Sequence, residues 1–171
     1  MFNNVLKYFW PTRIGWFVVI VSLAALITVY TAEFGFGLEP CALCVLQRIP
    51  YGLALVLGAA AIYRNGVWRI RLYCLLSLVF LVSAGLAFYH TGVEQHWWAS
   101  AASCGGSLNA EMTPENLLAA LQVQQPKACD DIDWEIFGLS ITVYNTALSL
   151  LASGVVGLAA KTLNHQLKTG Q

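Results

Sequence analysis

Four long stretches with almost no charged residues constrain the fold of this chain more than any other feature. They cover residues 14–32, 40–63, 72–89 and 136–160, with Arg48 as the single charge among them. A helix that crosses a membrane needs about 20 mostly apolar residues, and each stretch reaches about that length. Charged residues make up only 11% of the chain, against about 25% in soluble domains. The chain therefore has too little polar surface for a soluble protein.

The four stretches predict an all-α integral membrane four-helix bundle that forms a single membrane domain over residues 1–171. The first stretch is expected to be retained, because its apolar core is too long for a cleaved signal peptide and Tyr30 disrupts a small-residue cleavage site. The predicted helices cover residues 14–32, 41–63, 71–89 and 140–161, and the predicted outer loops cover 33–40 and 90–139.

The basic residues predict the orientation of this bundle. Four spans place both termini on one side of the membrane, together with the loop after the second span. Seven of the nine basic residues lie on that side, and all nine acidic residues lie on the other. Lys and Arg are enriched in cytoplasmic loops, so we expect a bacterial inner-membrane protein with cytoplasmic termini and periplasmic loops. No basic run is present that would bind nucleic acid.

The outer loop at 90–139 is long enough to carry structure of its own. Segment 113–115 contains a threonine, a proline and a glutamate, which is typical of the start of a helix. Leu117, Leu118 and Leu121 would give this helix one apolar face. The pattern predicts a short interfacial helix in the periplasmic loop, and an ordinary loop helix fits it equally well.

Five cysteines carry the chemical information in the sequence. Cys41 and Cys44 form a C-x-x-C motif at the outer end of the second span, and Cys104 and Cys129 lie in the long outer loop. These four face an oxidising compartment, where disulfides persist. Cys74 lies near the cytoplasmic end of the third span, and we expect it to be a small buried apolar residue.

Two other interpretations of the outer cysteines have to be weighed. A disulfide between Cys104 and Cys129 would stabilise the loop by about 3 kcal/mol through loop entropy, and a structural staple is the simpler reading of that pair alone. A bridge between Cys41 and Cys44 closes almost no loop, and such pairs normally exchange electrons. Four cysteines also match a structural zinc site, but the loop pair is spaced too widely for a second local knuckle. No metal is predicted.

The residues after the C-x-x-C motif favour a reactive pair. Pro40 suits the start of a helix, so Cys41 and Cys44 are expected in the first turn, where the helix dipole favours a thiolate. Arg48 follows on the same helix face. A charge at that depth costs several kcal/mol unless it is paired or snorkels to the interface, so Arg48 is a candidate functional residue, with an interfacial anchor as the alternative.

A membrane quinone is the electron acceptor that this arrangement favours. The sequence contains no haem, flavin or iron–sulfur motif, whereas a lipid-soluble quinone can reach the outer end of the bundle. Arg48 can neutralise negative charge on a quinone oxygen or on Cys44. His90, at the outer end of the third span, can hydrogen-bond a second carbonyl or deliver a proton, although a single interfacial histidine is often a surface residue.

Several segments together resemble the disulfide-bond formation protein B (DsbB) family over nearly the whole chain. The segments are the C-x-x-C-x-x-x-R stretch at 41–48, the stretch at 88–95 that ends the third span, the Ser-Cys-Gly-Gly stretch at 103–106, Cys129, and the segment 134–140. The combination is much more specific than a C-x-x-C motif alone. Cys74 is not part of the family pattern.

The resemblance implies a function and a role for each site residue. The implied activity is reoxidation of a periplasmic thioredoxin-fold oxidase (DsbA-like), with ubiquinone or menaquinone as the acceptor. Cys104 would form the mixed disulfide with this partner, and Cys129 would be its loop mate. Cys41 would pass electrons inward, and Cys44 would meet the quinone beside Arg48. His90 matches a quinone-proximal histidine of the family in more variable surroundings.

Two alternative functions are compatible with parts of this pattern. A vitamin-K-epoxide-reductase-like enzyme also couples loop cysteines to a membrane C-x-x-C motif, but that family has the motif late in its bundle, whereas here it opens the second helix. A stapled membrane scaffold or small transporter subunit would need neither a quinone nor cysteine turnover. Absorption by bound quinone would be absent from a scaffold.

Overall fold

Four helices form where the charge-poor stretches predict them. The structure is a computed structural model that describes residues 2–99, 129–132 and 135–169, with side chains described from residue 13 onward. Each helix is long and apolar enough to cross a membrane, so the chain is a multi-pass membrane protein, and the predicted all-α four-helix architecture is confirmed. The helices are α1 (Phe2–Phe36), α2 (Ala42–Tyr63), α3 (Gly66–Glu94) and α4 (Ile141–Thr169).

The interior of the bundle combines a few large side chains with many small ones. Tyr73, Leu76 and Phe80 of α3 are fully buried and pack against a row of alanines and Val156 on α4. Small residues let helices approach closely, which is how helices associate when the surrounding solvent is as apolar as their own side chains. The outward faces carry exposed leucines, isoleucines and valines, as expected for surfaces in contact with lipid.

The contact between α1 and α2 depends on a glycine. A Cβ atom added at Gly58 of α2 would lie 2.9 Å from Cγ1 and 3.3 Å from Cβ of Val18 on α1. Val18 is buried and β-branched, so its side chain has little freedom to move away. Gly85 of α3, by comparison, has nothing within 4 Å of the same position.

We expect Gly58→Ala to destabilise the protein and Gly85→Ala to leave its stability unchanged or raise it. Overpacking a close contact typically costs about 1–3 kcal/mol, whereas Gly→Ala within a helix by itself gains up to about 1 kcal/mol. The measurement is thermal unfolding of both variants in the same detergent. Equal midpoints for the two variants would show that the α1–α2 contact is not tight at Gly58.

The chain turns back sharply after α3. The N–H of Trp97 donates to the carbonyl of Gly92 (2.8 Å) and the N–H of His96 donates to that of Val93 (3.0 Å), and His96 has φ 57°. This is the hydrogen-bond pattern of a Schellman helix end. The turn brings Trp98 over Gly92 and stacks it on Tyr89 with ring centroids 5.9 Å apart. Aromatic residues gather in this way at the membrane interface.

A short β-hairpin leads into α4 and was not predicted. Strand β1 (Glu135–Ile136) pairs antiparallel with β2 (Leu139–Ser140). The two turn residues, Phe137 and Gly138, have φ 52° and 76°, which is the conformation that a two-residue hairpin favours. The hydroxyl of Ser140 then accepts the N–H of Thr142 at 3.3 Å. Ser140 therefore caps α4 at the end of the bundle where α3 ends.

Cys74 and the predicted loop helix differ in what the structure shows of them. Cys74 is exposed on the outer face of α3, so the prediction that it is buried is wrong. Its small apolar thiol is compatible with a lipid-facing position, which a sequence pattern does not distinguish from a buried one. The predicted interfacial helix around 113–121 lies outside the described residues, as does Cys104.

Candidate functional site

Cys41 and Cys44 meet at the start of α2. Cys41 is the N-cap residue, and its Sγ accepts the backbone N–H of Cys44 at 3.2 Å, so the thiol satisfies one of the unpaired donors of the first helical turn. The two sulfur atoms lie 2.9 Å apart. Cys41 is only 3% exposed, whereas Cys44 is half-buried. The pair therefore lies at the mouth of the bundle with its first member shielded from bulk solvent.

The pKa of Cys41 is raised, whereas the sequence predicted a thiol that ionises easily. The hydrogen bond to Cys44 and then burial raise the pKa of Cys41 to about 12, while the contact with His90 acts in the opposite direction. The helix N-terminus alone predicts a lowered pKa. The hydrogen bond to Cys44 and burial therefore outweigh the effect of the helix N-terminus on the pKa of this thiol.

His90 of α3 lies between Cys41 and the loop residue Cys129. Its Nε2 lies 3.6 Å from the Sγ of Cys41, and the backbone of Cys129 hydrogen-bonds its ring. Cys129 is itself buried and packs in one cluster with Cys41, Leu43 and Val93. The structure thus brings a loop cysteine, both helix cysteines and the histidine into one group.

The other ring nitrogen of His90 is held by a buried amide. Gln47 of α2 places its Nε2 2.7 Å from the Nδ1 of His90, and its Oε1 accepts from Nδ2 of Asn145 on α4 at 2.5 Å. Tyr51 in turn donates its hydroxyl to Oδ1 of Asn145 at 2.5 Å. A continuous line of hydrogen bonds therefore runs from Tyr51 in the bundle interior to the histidine beside Cys41.

A carboxylate lies on the opposite side of the histidine. Glu94, one turn after His90, is 5% exposed and places Oε1 3.8 Å from the Nε2 of His90. Its second oxygen accepts the hydroxyl of Thr142 at 2.5 Å. Thr142 belongs to the first turn of α4, so the start of that helix fixes the carboxylate beside the histidine.

Arg48 is paired with an acid from another helix. Its Nη1 lies 2.5 Å from Oε2 of Glu33 on α1, and its guanidinium carbon lies 4.9 Å from the ring centroid of Tyr30. This pairing offsets the desolvation cost of a charge in the span. The Nε of Arg48 is buried and has no hydrogen-bond partner among the described residues. A buried N–H without a partner costs about 1–3 kcal/mol, so this donor is available to a ligand oxygen.

Cys41, Cys44 and His90 together offer three possible metal ligands. The ligand atoms of Cys41, Cys44 and His90 all lie within 4.8 Å of one another. Three donors of this kind suit a thiophilic cation, whereas a structural zinc site is closed by four.

Some residues of the site were predicted from the sequence, and others were not. The structure places Cys41, Cys44, Cys129 and His90 together at the end of the bundle where α2 begins. It places Arg48 against α1, in a pair with Glu33 that was not predicted. Gln47 and Glu94 were also missed, although a polar residue inside the apolar stretch at 40–63 was a visible signal for Gln47.

A thiol pair at the end of a membrane helix, next to a buried histidine and a third cysteine, is the arrangement that a membrane-embedded thiol–disulfide oxidoreductase needs. Comparison with known proteins is more specific: the family model "Disulfide bond formation protein DsbB" matches residues 11–159. The chain belongs to the DsbB family, whose members take part in disulfide bond formation.

Individual relatives agree with this membership. "Disulfide bond formation protein B" of Stutzerimonas stutzeri is 34% identical over 144 residues, which cover 80% of this chain and 82% of that protein. The protein of the same name from Nitrosococcus oceani is 29% identical over 153 residues, with 87% and 88% covered. An uncharacterized protein of Rickettsia prowazekii is 28% identical over 142 residues, with 82% of each chain covered. No solved structure matches the chain significantly.

Proposed function

We propose that this protein is a protein dithiol:quinone oxidoreductase of the bacterial inner membrane. It reoxidises a periplasmic DsbA-like thioredoxin-fold protein and passes two electrons to ubiquinone or menaquinone. The observation that carries the proposal is the convergence of Cys41, Cys44, Cys129 and His90 at one end of a membrane bundle. The excess of basic residues at the opposite end supports a periplasmic position for this site.

The thiols exchange electrons in two balanced steps. The partner dithiol reduces the disulfide between Cys104 and Cys129, and the partner leaves as a disulfide. The reduced loop pair then attacks the disulfide between Cys41 and Cys44, so the loop disulfide re-forms and the helix pair becomes a dithiol. The packing of Cys129 against Cys41 supports the second step.

Residues beside the thiol pair fit a quinone. The buried Nε–H of Arg48 has no partner among the described residues and can donate to a quinone carbonyl. The guanidinium is positioned by Glu33 and Tyr30, so little order has to be gained when a ligand binds. Arg48, His90 and Cys44 would hold the quinone. A bound quinone would accept two electrons and two protons. Cys41 and Cys44 would then be left as a disulfide.

The direct test is a coupled assay with purified protein in lipid nanodiscs. A reduced thioredoxin-fold protein is added without oxygen, and its thiols and the quinone absorbance are followed together. The proposal predicts one partner disulfide for each quinone reduced. Partner oxidation without quinone consumption, or no oxidation at all, would refute it.

Cys129→Ser is expected to trap a mixed disulfide between the partner and Cys104, because the resolving thiol of the loop pair is missing. The complex should be visible as a partner-sized shift on a non-reducing gel and should disappear with dithiothreitol. Cys74→Ser, which removes an exposed cysteine outside the site, is the matched control and should give no shift. A complex that instead forms through Cys129 in a Cys104→Ser background would reverse the two roles.

A further inference from the structure

A line of buried amides and hydroxyls ends on His90 from inside the bundle. It begins at Ser149, whose Oγ lies 3.4 Å from both the Tyr51 hydroxyl and Oδ1 of Asn145. From Tyr51 the line continues through Asn145 and Gln47 to the Nδ1 of His90, with contacts of 2.5, 2.5 and 2.7 Å. Three helices, α2, α3 and α4, contribute to it, so it is a feature of the assembled bundle.

The amide orientations of Asn145 and Gln47 in the structure set the direction of the hydrogen bonds in this line. The Oε1 of Gln47 faces Nδ2 of Asn145, which can only donate. Its Nε2, which can also only donate, therefore faces the Nδ1 of His90. In this arrangement Nδ1 accepts, and when the imidazole is neutral its single proton is on Nε2.

The groups on the other side of the ring agree with that proton position. The Nε2 of His90 faces the carboxylate of Glu94 at 3.8 Å and the Sγ of Cys41 at 3.6 Å. A carboxylate oxygen and a thiolate sulfur both accept hydrogen bonds. A proton on Nε2 can therefore be donated to the Sγ of Cys41 when that sulfur leaves as a thiolate, with a carboxylate oxygen of Glu94 close by.

We infer that Gln47 and Asn145 are positioning residues that hold His90 as its Nε2–H tautomer, so that this N–H stabilises the thiolate of Cys41. The inference rests on the proposed function and deepens it. When the loop disulfide re-forms, the bond between Cys41 and the loop sulfur breaks and Cys41 leaves with the electron pair. The Nε2–H donates a hydrogen bond to that sulfur, and His90 neither gains nor loses a proton. His90 thus acts toward Cys41 as a donor and not as a base.

The test reads the tautomer directly. The full-length reduced protein, labelled with ¹⁵N-histidine in nanodiscs, gives ring resonances for His90, His96 and His165, and His90→Gln identifies those of residue 90. In the wild type Nδ1 should resonate as an unprotonated nitrogen and Nε2 as a protonated one. In Gln47→Glu the donor is replaced by a carboxylate, so Nδ1 should move to the position of a protonated nitrogen.

A rate measurement accompanies the spectrum and uses quinone-free protein with its disulfides formed. The reduced partner is added, samples are quenched with acid at intervals, and the free thiols of Cys41 and Cys44 are blocked and counted. Gln47→Leu should slow the reduction of this pair about tenfold or more, because His90 would no longer be held in position to hydrogen-bond the charged sulfur of Cys41. Asn145→Leu should act in the same direction because it leaves the Gln47 amide able to turn. The matched control is Ser77→Ala, which removes a contact between α3 and α4 outside the line, and should change neither readout.

The inference is overturned if Nδ1 of wild-type His90 is protonated, or if Gln47→Leu and Asn145→Leu both react at the wild-type rate. Failure of the proposed function would look different. In that case the wild-type helix pair would not be reduced by the partner at all, whereas the histidine spectrum would still report its tautomer.

Discussion

Cys44→Ser is expected to lower quinone reduction by at least about a thousandfold, as removal of a reacting nucleophile does in other enzymes. Serine leaves Cys41 without the sulfur that lies 2.9 Å from it, so the helix pair cannot form a disulfide and cannot deliver two electrons. The measurement is the steady-state rate with reduced partner and quinone. Substantial turnover in Cys44→Ser would show that another pair of groups reduces the quinone.

The matched control for that experiment is Cys74→Ser, the same chemical change at an exposed position on α3. It should keep the wild-type rate. Circular dichroism of both variants establishes that the helices are intact, which is expected because Cys41 still caps α2 and only a single sulfur atom is exchanged for oxygen.

The second large effect is expected at Arg48. Arg48→Ala removes a charged donor, which is worth about 1.5–3 kcal/mol and corresponds to a change of about 10- to 100-fold. The Michaelis constant for quinone should rise, and the turnover rate should fall, because the charge also stabilises the reduced acceptor. Arg48→Lys should be intermediate, since it keeps the charge and loses the planar fork.

Glu33→Gln separates the role of Arg48 in the ion pair with Glu33 from its role in binding quinone. Arg48→Ala leaves the Glu33 carboxylate without its partner, so part of its effect could come from the broken ion pair. Glu33→Gln breaks the ion pair and keeps the guanidinium. A quinone Michaelis constant that rises equally in Glu33→Gln and Arg48→Ala would mean that the ion pair matters and that Arg48 does not bind quinone. Equal kinetics in all these variants and the wild type would reduce Arg48 to an interfacial anchor.

The number of helices and the position of the cysteine pair were predictable because they depend on local features of the chain. Long runs without charge specify membrane spans, and Pro40 before a C-x-x-C motif specifies the start of α2. The resemblance to the DsbB family predicts roles for Cys104 and Cys129, which spacing alone left open between a structural staple and an electron relay, and these roles stay a prediction.

The partners of the site residues were not predictable, because they come from other helices. Glu33 precedes Arg48 by 15 residues, and Asn145 follows Gln47 by 98 residues. Only the packing of α1 against α2, and of α4 against α3, decides which side chains meet. The exposed position of Cys74 has a similar cause, since the lipid-facing and buried sides of a membrane helix are both apolar and hydropathy does not tell them apart.

The most direct test of the central claim is a single turnover of the pre-reduced protein alone. Protein with Cys41 and Cys44 as thiols is mixed without oxygen with nanodiscs that contain ubiquinone or menaquinone, and both the thiols lost and the quinol formed are counted. Electron transfer from the helix pair predicts two thiols lost for each quinol, with none formed by Cys44→Ser. Thiols that persist in the presence of quinone, or thiol loss without quinol, would contradict it.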